Sequence, residues 1–105
     1  MALNPRTDGA IVVDGGAERA LRTQGRSLLP AGVTAVSGSF AMGSVVSIVD
    51  EQGREVARGL SNFSSEELER IRGLNTKKIP EVLGAEAVFE EVVHRDNLVI
   101  VDAKE

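Results

Sequence analysis

The tripeptide His94-Arg95-Asp96 holds the only histidine of the chain and has the form of a protein-kinase catalytic loop, in which the aspartate accepts a substrate proton. The Gly-rich loop, strand lysine and Asp-Phe-Gly that such a loop works with are missing, so His94 is expected at a strand end with its ring satisfied. Gly38-Ser39-Phe40-Ala41-Met42-Gly43-Ser44 has the glycine spacing of a phosphate-binding loop, but Ser44 stands where the phosphate-coordinating lysine is required. A turn is the better reading. Asn62-Phe63-Ser64 matches a glycosylation acceptor, yet Met1 to Asp8 lack the hydrophobic run of a secretory leader. With no cysteine at all, thiolate metal sites, disulfides and cysteine nucleophiles are excluded together. The lone His94 has no serine partner for nucleophilic catalysis, and Glu66, Glu67 and Glu69 read as the acidic first turn of a helix, not as metal ligands. No catalytic residue and no metal site are expected, and the chain by itself is not expected to be an enzyme.

Arg19, Arg22 and Arg26 carry the one electrostatic feature of note. The first two lie three apart on a helix whose other face holds Ala17, Ala20 and Leu21, so both face solvent; Arg26 follows directly, beside Ser27. Such a face could grip a phosphate backbone. Three contacts would give a salt slope of only about −2 to −3. Twelve basic against sixteen acidic side chains leave a net charge of −4, which opposes broad adsorption to a polyphosphate. The competing reading is a solubilising face with Arg22 paired to Glu18. Lys77 and Lys78 form a weaker basic spot.

These side chains need elements to position them. At 105 residues the chain is one domain, and its 42% hydrophobic residues include three Phe, no Trp and no Tyr, so the core must be aliphatic. No stretch approaches the roughly 18 apolar residues of a membrane span, and a soluble, cytoplasmic protein is expected. Residues 1–9 read as a linker or boundary segment and 10–105 as the domain. Eleven glycines punctuate short apolar runs, the pattern of a mainly β, turn-rich (α+β) domain. Ala10 to Val13 suits a buried strand, followed by a short helix. Ser27 to Val36, broken by Pro30 and Gly32, bends before entering a strand. Val45 to Val49 and Val56 to Leu60 pair as a hairpin across Asp50 to Arg54, with Gly53 in the turn. Ser64 and Glu67 make a capping box, reinforced by a Phe63–Leu68 staple, in a helix where Glu66 can pair with Arg70 and Gly73 ends the run. Pro80 predicts that a helix over 76–83 starts late or kinks. Val92 to His94 and Leu98 to Val101 are the last strand candidates.

Several separated blocks in order resemble the PUA domain: Asp14-Gly15-Gly16-Ala17-Glu18-Arg19-Ala20-Leu21, Ser27-Leu28-Leu29-Pro30-Ala31-Gly32-Val33, and Val36-Ser37-Gly38-Ser39-Phe40 with Gly43. Ala57 to Leu68, Ile71 with Gly73, and His94 to Val99 look more narrowly like the C-terminal PUA domain of bacterial glutamate 5-kinases. The resemblance covers residues 8 to 101. It implies a pseudo-barrel of five or six mixed strands with short flanking helices. It also implies a parent enzyme whose amino-acid-kinase domain, absent here, phosphorylates the γ-carboxylate of L-glutamate with ATP and magnesium for proline synthesis. ATP and magnesium belong to that domain, so no cofactor is expected here. The implied partner is the kinase domain, which the chain would serve as a non-catalytic, regulatory or interaction-mediating accessory. By position, the RNA-meeting residues of PUA domains in RNA-modifying enzymes fall on Arg19, Arg22, Arg26 and Ser27, so an RNA-binding module is the alternative. The apolar β surface and net acidity favour protein contacts, and self-association is compatible with the sequence. Ser44, Phe63 and Pro80 depart from the family, which often has Asp, Tyr and an uninterrupted helix there.

Overall fold

A computed structural model describes residues 7–84, 87 and 89–101. Most of the expected linker, residues 1–6, lies outside the described residues, as do 102–105. Five strands, β1 (Gly9–Val13), β2 (Val33–Gly38), β3 (Val45–Val49), β4 (Glu55–Leu60) and β5 (Leu98–Ile100), form one mixed sheet in the order β2-β1-β3-β4-β5. The parallel pair β1–β3, with Ile11 opposite Ile48, lies inside the sheet, and every other pairing is antiparallel. Alternation along β3 turns Val46 and Ile48 inward, as the two-residue period of a half-buried strand demands. The β3–β4 hairpin forms as its sequence predicts, with Gly53 at φ 85° and its N–H on the Asp50 carbonyl at 2.9 Å.

One interaction turns this sheet toward a barrel. Leu28, five residues before β2, forms an isolated antiparallel bridge with Val93, five residues before β5. The Leu28 N–H donates to the Val93 carbonyl at 2.9 Å, and the Val92 N–H donates back to the Leu28 carbonyl at 2.7 Å. Since β2 and β5 are the two edges of the sheet, this seam ties its ends together. Val92 to His94, expected as a strand, supply only that bridge; Pro30 on one side and a turn beginning at Arg95 on the other end the pairing after a single rung.

Three helices cover the barrel. Asp14 caps α1 (Gly15–Gln24) by accepting from the Ala17 N–H at 2.7 Å, and Gly25, at φ 61°, ends it. The predicted capping box opens α2 (Ser65–Ile71): the Glu67 N–H donates to Ser64 Oγ at 3.2 Å, and the Ser64 N–H donates to Glu67 Oε1 at 3.0 Å. The expected Glu66–Arg70 pair does not form, because the Arg70 guanidinium donates instead to the Val82 carbonyl at 2.7 Å. Residues 76–83 do start late: a 3-10 turn (Thr76–Lys78) precedes α3 (Ile79–Leu83), with Pro80 in the first turn, where its missing N–H costs nothing. Ile11, Val13, Leu21, Leu28, Val46, Ile48, Val56, Leu68, Ile71, Val92 and Val93 make the aliphatic core. Among the described residues no helix is long and apolar enough to cross a membrane.

Candidate nucleic-acid interface

The small residues of α1 decide what can approach it. A Cβ added to Gly32 would lie 2.6 Å from the Ala17 Cβ, so glycine there lets the 3-10 turn Pro30–Gly32 pack directly on the helix. Between them opens a cavity of about 290 Å³, lined among others by Ala17, Ala20, Arg26, Leu28 and Leu29. A second, of about 380 Å³, is lined by Arg26, Ser27, Leu29, Glu91, His94 and Arg95. The two adjoin at Arg26, Ser27 and Leu29 and make a groove along the barrel seam.

The three arginines of the sequence pattern have three different fates. Arg19 is exposed on α1, its guanidinium without a partner among the described residues, and it lines neither cavity. Arg22 is engaged: its Nε donates to Glu18 at 3.0 Å and a terminal nitrogen to the Val101 carbonyl at 3.1 Å, lashing α1 to the chain after β5. Arg26 enters the groove, steadied by Gln24 Oε1 at 2.8 Å. Ser27 also lies in the groove, where its Oγ accepts from the Arg95 N–H at 2.8 Å.

Arg95 and His94 are the groove residues that the sequence reading did not bring together with Arg26. His94 caps the 3-10 turn Arg95–Asn97, its Nδ1 accepting from the Asp96 N–H at 3.0 Å. The signal was in view as a tripeptide, but only the seam joins positions 68 residues apart in sequence. The resulting surface offers two guanidinium groups and an imidazole against two carboxylates, Glu91 and the helix-capping Asp14, above a partly apolar floor. That chemistry suits an anion and supplies no activated nucleophile.

The glycine-spaced loop is spent on the fold. The Phe40 N–H donates to Ser65 Oγ, that of Ala41 to Ser44 Oγ, that of Gly43 to the Ser61 carbonyl and that of Ser44 to the Ala41 carbonyl, leaving no amide cradle for phosphate. No group of three or more His, Asp or Glu among the described residues could hold a metal ion. The resolved ionisation shifts all belong to the β3–β4 hairpin. Hydrogen bonds from Arg58, opposed by burial and aided by Ser47, hold Glu55 below the ordinary carboxylate range, and Glu55 in turn raises Arg58. Asp50 is lowered chiefly by the backbone N–H of Arg54.

Comparison with known proteins agrees with this architecture. The PUA domain family matches residues 9–83. The chain is 47% identical over its whole length to 28% of a glutamate 5-kinase from Caldanaerobacter subterraneus subsp. tengcongensis. It is 55% identical, over 90% of its length, to 25% of the glutamate 5-kinase of Synechococcus sp. (strain JA-3-3Ab). The chain thus spans about a quarter of the length of the curated relatives it matches. A PUA domain from Aeropyrum pernix K1, solved as a tartrate complex, superposes with a TM-score of 0.60 at 32% identity, covering 83% of this chain and 41% of that one. A chain of an archaeal box H/ACA sRNP shares the fold at a TM-score of 0.55 and 22% identity, over 84% of this chain and 25% of its own. With more than half its length matched by the family and a shared fold, the chain belongs to the PUA domain family.

Proposed function

We propose that this domain is the non-catalytic accessory module of a glutamate 5-kinase and that the seam groove is its contact surface. The observation that carries the reading is its likeness along the full length to about a quarter of such kinases, joined to a groove lined by Arg26, His94 and Arg95. In this reading ATP, magnesium and glutamate belong to the remainder of the parent, and the domain acts through contacts with the kinase portion. Supplied with all three, the isolated domain yields no γ-glutamyl phosphate; turnover would refute the assignment. Removing it from the whole kinase changes the regulation or assembly of the enzyme, and a truncated kinase indistinguishable from the intact one would refute the accessory role.

A second reading, RNA binding, is favoured by Arg26 and Arg95 lining the same cavity, and a fold neighbour is described as part of an sRNP. Two or three phosphate contacts with a duplex give a salt slope of about −1.8 to −2.7. Titration with structured RNA at low and moderate salt tests it: Arg26→Glu and Arg95→Glu abolish binding and Arg19→Glu weakens it. Absence of binding by the unaltered domain at low salt would eliminate this reading.

A further inference from the structure

His94 stands where the seam, the last 3-10 turn and the groove meet. Its Nδ1 accepts the Asp96 N–H at 3.0 Å, so the neutral ring carries its proton on Nε2. The preceding residue makes the Leu28–Val93 bridge, the following one donates to Ser27, and the ring itself lines the groove. Asp96 Oδ2 lies 3.6 Å from the same Nδ1, just outside hydrogen-bond reach. We propose that His94 is a proton-operated control on anion binding in the groove, exchanging its role as the cap of the Arg95–Asn97 turn for a positive charge beside Arg26 and Arg95. The inference rests on the reading of the groove as a phosphodiester site.

The exchange balances in its hydrogen bonds. A proton taken up at Nδ1 converts an acceptor into a donor, so the Asp96 N–H loses its partner while the waiting carboxylate gains one. The ring then holds two N–H groups and a full charge. The ionisable groups around it are Arg26 from the segment after α1, Glu91 from the chain before the seam, and Arg95 and Asp96 from the turn. The arginines stay charged at all relevant pH values and carboxylates are ordinarily ionised above about pH 5. Imidazole is the side chain whose charge changes between about pH 5 and 8. At this partial exposure the added charge strengthens anion binding about three- to tenfold, the range for a screened contact near the surface. Linkage makes the effect reciprocal: the bound anion must raise the titration midpoint of the ring by the logarithm of the same ratio.

As His94 is the only histidine, its imidazole resonances report on it without ambiguity. The test is an NMR titration of the domain from pH 8 to 5, alone and with an oligouridylate, whose bases and phosphodiesters do not ionise in this range. Affinities are measured at pH 7.5 and 5.5 alongside. We expect the Asp96 amide to shift together with the ring, the oligouridylate to move the ring's transition to higher pH, and binding to tighten about two- to fivefold between pH 7.5 and 5.5. His94→Asn keeps an N-cap acceptor but cannot take a proton, and its affinity ratio between the two pH values falls to about one. An Asp96 amide indifferent to the ring, or equal affinity at both pH values with an unmoved midpoint, overturns the control while leaving the groove as an anion site. No binding of the oligouridylate at either pH overturns the control, and the structured-RNA titration decides the phosphodiester reading separately.

Discussion

Gly59→Ala adds one methyl group where the barrel has no room for it. An added Cβ would lie 2.6 Å from Val93 Cγ1 and 2.7 Å from the Asn97 carbonyl oxygen, about 1 Å inside the usual 3.5–4.0 Å separation of carbon atoms. Neither neighbour can yield cheaply. Val93 is fully buried and bridged to Leu28, and the Asn97 carbonyl belongs to a turn closed by the Asn97 N–H on the His94 carbonyl at 2.8 Å. Overpacking of this kind costs about 1–3 kcal/mol, offset by about 0.4–1 kcal/mol because alanine leaves the unfolded chain fewer states. The net loss lies between about 0 and 2.6 kcal/mol and centres at about 1.3, a fall in Tm of about 5–10 °C at that centre for a domain of this size.

The same substitution at Gly15 should have the opposite sign. An added Cβ there meets nothing within 4 Å, and the residue, exposed at the start of α1, has no positive φ. Gly15→Ala therefore gains about 0.4–1 kcal/mol from the unfolded state. Thermal and urea unfolding followed by circular dichroism gives both values. A Gly59→Ala protein that melts with or above the unaltered domain would refute the close-approach argument. Because the Arg95–Asn97 turn rests on Gly59, its amide shifts should concentrate at 95–98 and reach the groove.

Ser64→Ala removes the side chain that accepts the Glu67 N–H and undoes the capping box, so it lowers stability by about 1 kcal/mol in urea unfolding. Glu55 ionises more readily folded than unfolded. Its contribution is thus complete above the unfolded carboxylate value, about 4.3, and disappears as pH falls through the lower folded value. A Tm profile from pH 7 to 3 should decline below about pH 4.5, and Glu55→Gln should flatten part of that decline; an identical acid limb in the variant would refute the linkage.

Local signals made most of the fold legible in the sequence. The capping box, the Gly53 turn and the alternation of Val45 to Val49 each act within a few residues, and each element appears where its residues predict. Arg22 shows the reach of such reasoning: its pair with Glu18 follows from helical spacing, but its bond to the Val101 carbonyl, 79 residues away, does not. The seam was illegible for the same reason. Leu28 and Val93 each read as one apolar residue in a short run, and nothing in either run names the other. The groove inherits that blindness: Arg26 and Ser27 were found from the helix beside them, whereas His94 and Arg95 join them only after the barrel closes.

That origin also determines how the groove must be dissected. Ser27 supplies it with an oxygen already taken by the Arg95 N–H, and Leu28 supplies both a wall and a buried bridge residue, so loss of binding on changing either would not separate recognition from closure. The guanidinium groups of Arg26 and Arg95 are different. Among the described residues the guanidinium of Arg26 is held by a neighbouring exposed glutamine alone, and Arg95 enters the seam through its backbone N–H. Arg22, of the same residue type and four positions from Arg26, is a structural tie on both its carboxylate and its carbonyl contacts. Spacing on a helix groups the three arginines of α1 and its exit; the atoms each one is bonded to divide them, and only those free of the seam can report on a ligand.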